Sequence, residues 1–151
     1  MKTFLRNVKE KDIADIFKLS NESYVREYSL NKETIEWDTH VKWFNNLMNS
    51  DKDFFYVVTN DEDKFLGQIR FKVKDNEAIV SISLAKEIQG KGLSKILLLE
   101  SIQRLKQDYP MIKNITAVVS KYNIPSKKLF ENAGFHYIGE NVELLKYSYK
   151  Y

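Results

Sequence analysis

Between Ser83 and Leu99 an apolar strand runs into Gln89, Gly90, Lys91, Gly92, Leu93 and Ser94, and the chain continues straight into an apolar helix. A strand that turns through glycines into a helix leaves several backbone N–H groups without partners. It points them at one spot, where the helix dipole adds positive potential. Such a bend is a cradle for phosphate, and a diphosphate-bearing cofactor suits it. Spacing narrows the choice. The P-loop needs a Gly, four residues, then Gly-Lys-Ser/Thr, a run this chain lacks. A dinucleotide fingerprint would need a third glycine, where Lys95 stands. It would also need an acid at the end of the following strand, where the chain has Thr116, Ala117 and Val118.

What remains is Gln89-x-x-Gly92-x-Ser94, which closely resembles the Gln/Arg-x-x-Gly-x-Gly/Ala signature of the GNAT family of N-acetyltransferases. After an apolar strand at 115–119 come Asn123, Ser126, Leu129, Phe130, Gly134 and Phe135. They resemble, in type and spacing, the family's Asn-x-x-Ala/Ser-x-x-Leu-Tyr-x-x-x-Gly-Phe segment. The resemblance covers nearly the whole chain, from an opening strand with Leu5 and Arg6 to a closing strand that ends at Tyr151. It implies acetyl-CoA as cosubstrate, its diphosphate held by the amides of Gln89, Gly90, Lys91, Gly92, Leu93 and Ser94. It further implies that the backbone of Leu84 and Ala85, near a splayed strand end, meets the pantetheine and polarises the thioester carbonyl. By the same resemblance Asn123 contacts the pantetheine, and Ser126 and Lys127 approach the adenosine end. Asn123 could also cap a turn, and Ser126 stands where a helix N-terminus needs a hydroxyl. One position departs from the pattern. In many relatives a tyrosine returns a proton to the leaving thiolate, and the matching residue here is Phe130, with Tyr122 as the nearby substitute. A CoA thiol comparable to a free cysteine, with a pKa of about 8.5, can leave with help from water alone. Ser94 replaces the usual Gly or Ala without obstructing the amides.

Composition agrees with a compact enzyme. The 151 residues suit one acetyltransferase domain, 1–151, with no repeat, linker or low-complexity tract. Zero cysteines exclude disulfides, thiolate metal sites and a cysteine-bound acyl intermediate, which favours direct transfer between bound partners. His40 and His136 are the only histidines, and no acids around them imitate a metal-ligand set, so no metal is expected. The formal charge of +3 is interspersed, as in Lys9, Glu10, Lys11 and Asp12, which argues against nucleic acid as a partner. The opening residues lack a signal-peptide core and no apolar run reaches about 18 residues, so a cytoplasmic protein without a membrane partner is expected.

Periodicity predicts a strand at 3–8 and a helix in which Asp12, Ile13, Ile16, Phe17 and Leu19 share a face. The stretch 24–34 reads as irregular. A second helix spans 36–48, with Trp37, Val41, Phe44, Leu47 and Met48 in helical repeat, followed by a strand at 54–59. Strands at 66–74 and 77–84 are joined by Asp75 and Asn76, a two-residue hairpin loop. Leu93, Ile96, Leu97, Ile102 and Leu105 define the helix after the cradle, which Tyr109 and Pro110 end. Strand, short helix, strand and strand complete the chain. This order predicts an α+β fold, a mixed and largely antiparallel central sheet of about seven strands with helices on both faces. Tyr147, Tyr149 and Tyr151 alternate like an edge strand, which could pair with a second copy in a homodimer or simply cover the sheet.

The hairpin loop also sets a register. Lys74 must face Glu77, so Arg70 lies opposite Ser81 and Gln68 opposite Ser83, all on one side, with Ile69, Phe71, Val80 and Ile82 as core on the other. A cluster of Gln, Arg and two Ser beside a cofactor loop could bind an acceptor, orient a water or relay a proton, or it could be a solvated sheet face. Attack on a thioester needs the free amine, so a proton must leave, and Ser83, Tyr122 and His40 are the candidates to handle protons. Arg26, Ser29, Asn31, Ile35, Trp37, His40, Trp43 and Phe44 gather two tryptophans and a histidine near an irregular segment, and aromatic faces beside polar groups suit a sugar or nucleotide. On a helix His40 neighbours Trp37, Trp43 and Phe44. Together with Gly67, Gln68, Ile69, Arg70 and Phe71, this His-x-x-Trp-Phe run resembles the acetyltransferases of pseudaminic acid and related nucleotide-linked amino sugars. The acceptor so implied is the primary amine of a nucleotide-linked sugar, bound by Arg26, Trp37, Gln68, Arg70 and Ser81, with His40 as general base. The alternative is that both tryptophans fill the core and His40 is a satisfied structural residue. Two other functions stay open: acetylation of a protein N-terminus, and a CoA-binding module without turnover.

Overall fold

The computed structural model describes residues 2–151. Strands β3 (Phe65–Lys74) and β4 (Glu77–Leu84) form the central hairpin, and its register is the expected one: Lys74 faces Glu77, Arg70 faces Ser81 and Gln68 faces Ser83. Asp75 in the loop has a φ of 58°, the left-handed conformation that a two-residue turn demands and that Asp tolerates. Strand β2 (Asp53–Thr59) pairs with β3, and β1 (Phe4–Asn7) pairs with β2, both antiparallel. Beyond β4 come β5 (Asn114–Ser120), β7 (Leu144–Lys150) and β6 (His136–Glu140), giving one seven-stranded sheet in the order β1-β2-β3-β4-β5-β7-β6.

Among the described residues only the β4–β5 pair is parallel. It is connected by helix α4 (Leu93–Asp108), which crosses one face of the sheet. The pairing is short, with Glu77, Ala78 and Ile79 opposite Asn114, Ile115 and Thr116. From Val80 to Leu84 on one side and Ala117 to Ser120 on the other the two strands no longer pair, so the middle of the sheet opens into a gap at their C-terminal ends. In sheets with parallel strands this is the place where ligands dock.

The helices divide between the two faces. On one face the apolar side of α4 (Leu97, Leu98, Ile102 and Leu105) meets Ile69, Phe71, Val80 and Ile115 in the larger core, joined by Phe130 of α5 (Ile124–Asn132). Tyr56 donates to Asp108 at 2.7 Å and Tyr151 donates to the Ile102 carbonyl at 2.7 Å, which fixes the C-terminal half of α4 against the sheet and aims its N-terminus at the gap. On the other face α1 (Ile13–Ser20) and α3 (Trp37–Met48) bury Ile16, Phe44 and Leu47 against Phe55 and Val57 in a smaller cluster. Gln68, Arg70, Ser81 and Ser83 lie on this second face, because their strand partners Val57 and Phe55 do.

Three expectations change. The stretch 24–34 is not wholly irregular, since a single helical turn, α2 (Ser23–Arg26), occupies its start. Four residues are too few to show a hydrophobic period. The tyrosine-rich segment at the C-terminus is not an edge strand: β7 lies between β5 and β6, and Tyr147 is buried against Tyr137. Its alternation places the three tyrosines on the one face that α4 and α5 cover, and the edge falls to β6, a short strand with a register shift and a Lys121–Glu140 ion pair. Ile96, expected on the buried side of the helix after the cradle, is 61% exposed beside the bend.

Candidate active site

The bend after β4 is built as the sequence suggests, and its geometry explains each residue type. Gly90 and Gly92 both have a φ of 72°, the left-handed region that costs any other L-residue roughly 1–2 kcal/mol. A Cβ at either position would meet nothing within 4 Å, so open space lies directly over this backbone. Gly92 is the N-cap of α4 and brings no side-chain cap, and the first turn carries no acid. The amides of Leu93, Ser94 and Lys95 therefore have no intrahelical acceptor, and those of Gly90, Lys91 and Gly92 bond no other backbone group. Six N–H groups, backed by a sixteen-residue helix dipole and by Lys91 and Lys95, face a surface with room for a ligand. Of the residues assigned to the cradle, Gln89 alone works otherwise. Its amide bonds the Lys86 carbonyl and its Nε2 donates to the Leu84 carbonyl at 2.9 Å, tying the loop back to the end of β4.

The strand end itself sorts Leu84 from Ala85. The Ala85 amide donates to the Leu66 carbonyl at 2.8 Å, so positions 66 and 85 form a bonded pair of the β3–β4 ladder. Alternation then turns the backbone groups of Leu84 away from β3 and toward the gap. The Leu84 carbonyl accepts both Gln89 Nε2 and, at 3.0 Å, the Tyr24 hydroxyl from α2, while its N–H stays free on the gap side. Gly67 sits opposite Leu84. A Cβ there would come within 2.7 Å of Leu84 Cδ2 and 2.8 Å of the Ser83 carbonyl, so glycine is required for the close approach of the two strands. Tyr24 and the steric role of Gly67 escape a sequence reading. The only available signal was a glycine near the start of a strand.

Across the gap, Asn123 caps α5: its Oδ1 accepts the Ser126 amide at 3.3 Å. The cap is thus Asn123 rather than Ser126, whose hydroxyl and the neighbouring Lys127 side chain are left at the first turn of this second helix N-terminus on the gap. The Asn123 amide nitrogen remains available to donate. Phe130 is buried and packs edge-on to Phe135 with ring centroids 5.0 Å apart, so it supplies packing and no proton. Tyr122 is 71% exposed and only its backbone amide is engaged, by Ser120 Oγ. Nothing in the structure holds its phenol toward the gap.

On the acceptor side the expected residues part company. His40 is 2% exposed, and its Nε2 lies 2.8 Å from the Ile13 carbonyl, which can only accept, so this nitrogen carries the proton. Its ring is wrapped by Phe17, Trp37, Trp43 and Phe44, and burial lowers its pKa. A buried imidazole that ties α3 to α1 is not placed to take a proton from substrate, which removes the general-base assignment. Arg26 is likewise committed: Nε donates to the Ser20 carbonyl at 2.8 Å and Nη1 to the Asn31 carbonyl at 2.9 Å, so it braces the 20–33 loop and contributes its charge rather than a free guanidinium. Trp37 is 44% exposed and edge-on to Phe17, whereas Trp43 packs on Phe55. Gln68, Arg70, Ser81 and Ser83 form one polar strip, with Ser81 exposed, Ser83 half-buried and Gln68 buried.

The fit to a CoA-type ligand rests on the open space above Gly90 and Gly92, the free amides, and the gap running from them between β4 and β5. Among the described residues no group of three or more His, Cys, Asp or Glu side chains could hold a metal ion, and no helix is long and apolar enough to cross a membrane. Similar folds occur in solved structures. Spermidine N-acetyltransferase from Vibrio cholerae, in complex with CoA and spermine, is 19% identical, with a TM-score of 0.88 over 98% of this chain and 95% of that one. A protein provisionally described as a phosphinothricin N-acetyltransferase is 21% identical, with a TM-score of 0.83 over 99% and 98% of the two chains. A domain from Methanocaldococcus jannaschii is 18% identical, with a TM-score of 0.85 over 99% of each. Among curated proteins none matches. The profile of the acetyltransferase (GNAT) domain matches residues 2–136, and with the cradle and the strand gap both in place the chain belongs to the GNAT family of acetyl-CoA-dependent N-acetyltransferases.

Proposed function

We propose that the protein moves an acetyl group from acetyl-CoA directly to the primary amine of a nucleotide-linked amino sugar. The observation that carries the transfer is the set of free amides from Gly90 to Lys95 on left-handed glycines, opening onto a gap into which the Leu84 N–H also points. The nucleotide-sugar acceptor is supported by the exposed ring of Trp37 and the cations Arg26 and Arg70 on the acceptor face, together with the resemblance of the 40–44 and 67–71 segments.

Acetyl-CoA, when bound, supplies an acyl carbon activated as a thioester. The cradle amides would hold its diphosphate, and Asn123 would offer its amide nitrogen along the gap. The Leu84 N–H, with its own carbonyl fixed by Tyr24 and Gln89, stabilises negative charge as it develops on the acyl oxygen. The acceptor amine approaches from the α1–α3 face and sheds its proton through the Ser83 hydroxyl to solvent, since that strip presents neither a carboxylate nor an imidazole. With Phe130 in the core, α5 would supply no phenol to the departing thiol, and a thiol comparable to a free cysteine, with a pKa of about 8.5, would need help from water alone.

Titration calorimetry with CoA, followed by a thiol-release assay on a nucleotide-linked amino sugar, tests the reading. Binding and acceptor-dependent thiol release are expected. Absence of any heat with CoA or acetyl-CoA overturns the transfer itself, while turnover of other amines in preference to the sugar nucleotide overturns only the acceptor.

A further inference from the structure

Two side chains on the acceptor face lack partners, and they sit in a defined order relative to the cradle. Gln68 is 7% exposed, and its Oε1 is the one buried side-chain polar atom among the described residues with nothing to bond. A native fold rarely leaves such an acceptor empty, because the desolvation cost is not returned. Arg70, on the same face two residues further along β3, lays its guanidinium on the Trp43 ring at 4.9 Å from the centroid. Among the described residues it has no acid within salt-bridge distance and donates no hydrogen bond, although it is half-buried. Burial disfavours its charge, Asp53 relieves part of that, and the nearby charge of Arg26 adds to it. A cation in this position is short of negative charge by at least one group.

Register orders the two seats. Gln68 faces Ser83, one residue before Leu84, whereas Arg70 faces Ser81, roughly 7 Å further from the Leu84 end along the strand. The amine end of an acceptor must be at the thioester, and Gln68, the member of the strip nearer the Leu84 end, carries the acceptor atom that has no partner. Whatever extends behind the amine passes along the strip to Arg70.

We infer that the acceptor is an amine carrying an anionic group, a phosphate or a carboxylate, with the amine seated on Gln68 Oε1 and the anion on Arg70 against Trp43. This rests on the acetyl-transfer reading above and adds how the site chooses among amines. A polyamine would place a second ammonium beside two guanidinium charges, so the strip selects against it.

The test uses acetyl-CoA and four acceptors: a uridine-diphosphate-linked amino sugar, glutamate, glucosamine and spermidine. At least one of the first two is expected to show the highest kcat/KM, and which of them does separates phosphate from carboxylate. The same anionic amine saturably changes tryptophan fluorescence, and the change is smaller in Trp43→Phe, where Trp37 alone reports. In Arg70→Gln, KM for the anionic acceptor rises about 10- to 100-fold, Arg70→Lys recovers most of it, and the affinity for acetyl-CoA is unchanged. Gln68→Leu lowers kcat/KM for charged and neutral amines alike while its melting temperature is equal to or above that of the parent, since the substitution removes an unpaired buried group rather than a contact. Spermidine or glucosamine as the best substrate, no fluorescence response to either anionic amine, or an Arg70→Gln protein with unaltered KM overturns the inference. If CoA still binds and some amine is still acetylated, the enzymatic reading survives its loss.

Discussion

The cradle at 89–94 and the polar strip on β3 and β4 lie along one gap and leave polar groups without partners by opposite devices. The cradle uses main chain: consecutive amides freed by two left-handed glycines and oriented by α4, with side chains largely facing solvent. The strip uses side chains that the fold has already desolvated, Gln68 with an empty acceptor and Arg70 with an unanswered charge. A backbone site tolerates many sequences provided the glycines remain. A side-chain site is changed by one substitution, which is where a family with a common cofactor and varied acceptors has reason to differ.

Substitutions can break that contrast, beginning with the largest effect. Gly92→Val forces a β-branched residue into the left-handed region and covers the amides. Affinity for CoA is expected to fall about 10- to 100-fold by calorimetry, with the acceptor strip left intact. Gly67→Ala acts where the two regions meet. Its Cβ would press on Leu84 and the Ser83 carbonyl, and unfolding titrations should show a loss of about 1–3 kcal/mol, with kcat reduced as the Leu84 N–H shifts. Tyr24→Phe removes one of the two donors to the Leu84 carbonyl and is expected to cost about 1 kcal/mol, with kcat affected more than KM for acetyl-CoA. The smallest effect is the most diagnostic. His40→Gln should leave the alkaline limb of the kcat/KM profile unchanged, because the imidazole is buried and bonded to Ile13. Burial lowers the pKa of His40 in the folded state, the Ile13 carbonyl opposing this in part, so the unfolded chain binds the proton more readily. Stability from this residue is therefore complete above about pH 6.5 and declines as the pH falls toward the folded value. Melting temperatures should fall less steeply below that pH in His40→Gln than in the parent.

The residues that were legible in advance share one property: their roles are set by near neighbours in the chain. Gly90 and Gly92 declare a bend whatever surrounds them, and Asp75-Asn76 fixes the partners of eight residue pairs along the hairpin. The roles of His40 and Arg26 stayed open in the sequence for the complementary reason. Their types suit catalysis and anion binding, but the carbonyls that claim them, Ile13 and Ser20, belong to α1, and only the packing of α1 against α3 and the loop decides that claim. The alternation of Tyr147, Tyr149 and Tyr151 was real. Whether the strand bearing it lay at an edge depended on β6 returning to its far side.

By itself, then, the order of residues determined the hairpin register, the double-glycine bend and the alternation of elements, because turns and helix starts are governed by local dihedral preferences and short-range hydrogen bonds. Tertiary structure alone decided that β4 and β5 part after three pairs, that Tyr24 crosses sixty positions to brace Leu84, and that Gln68 and Arg70 remain without partners. Those outcomes follow from which surfaces are excluded from water when the helices settle on the sheet, and desolvation is a property of the assembled chain rather than of any segment in it.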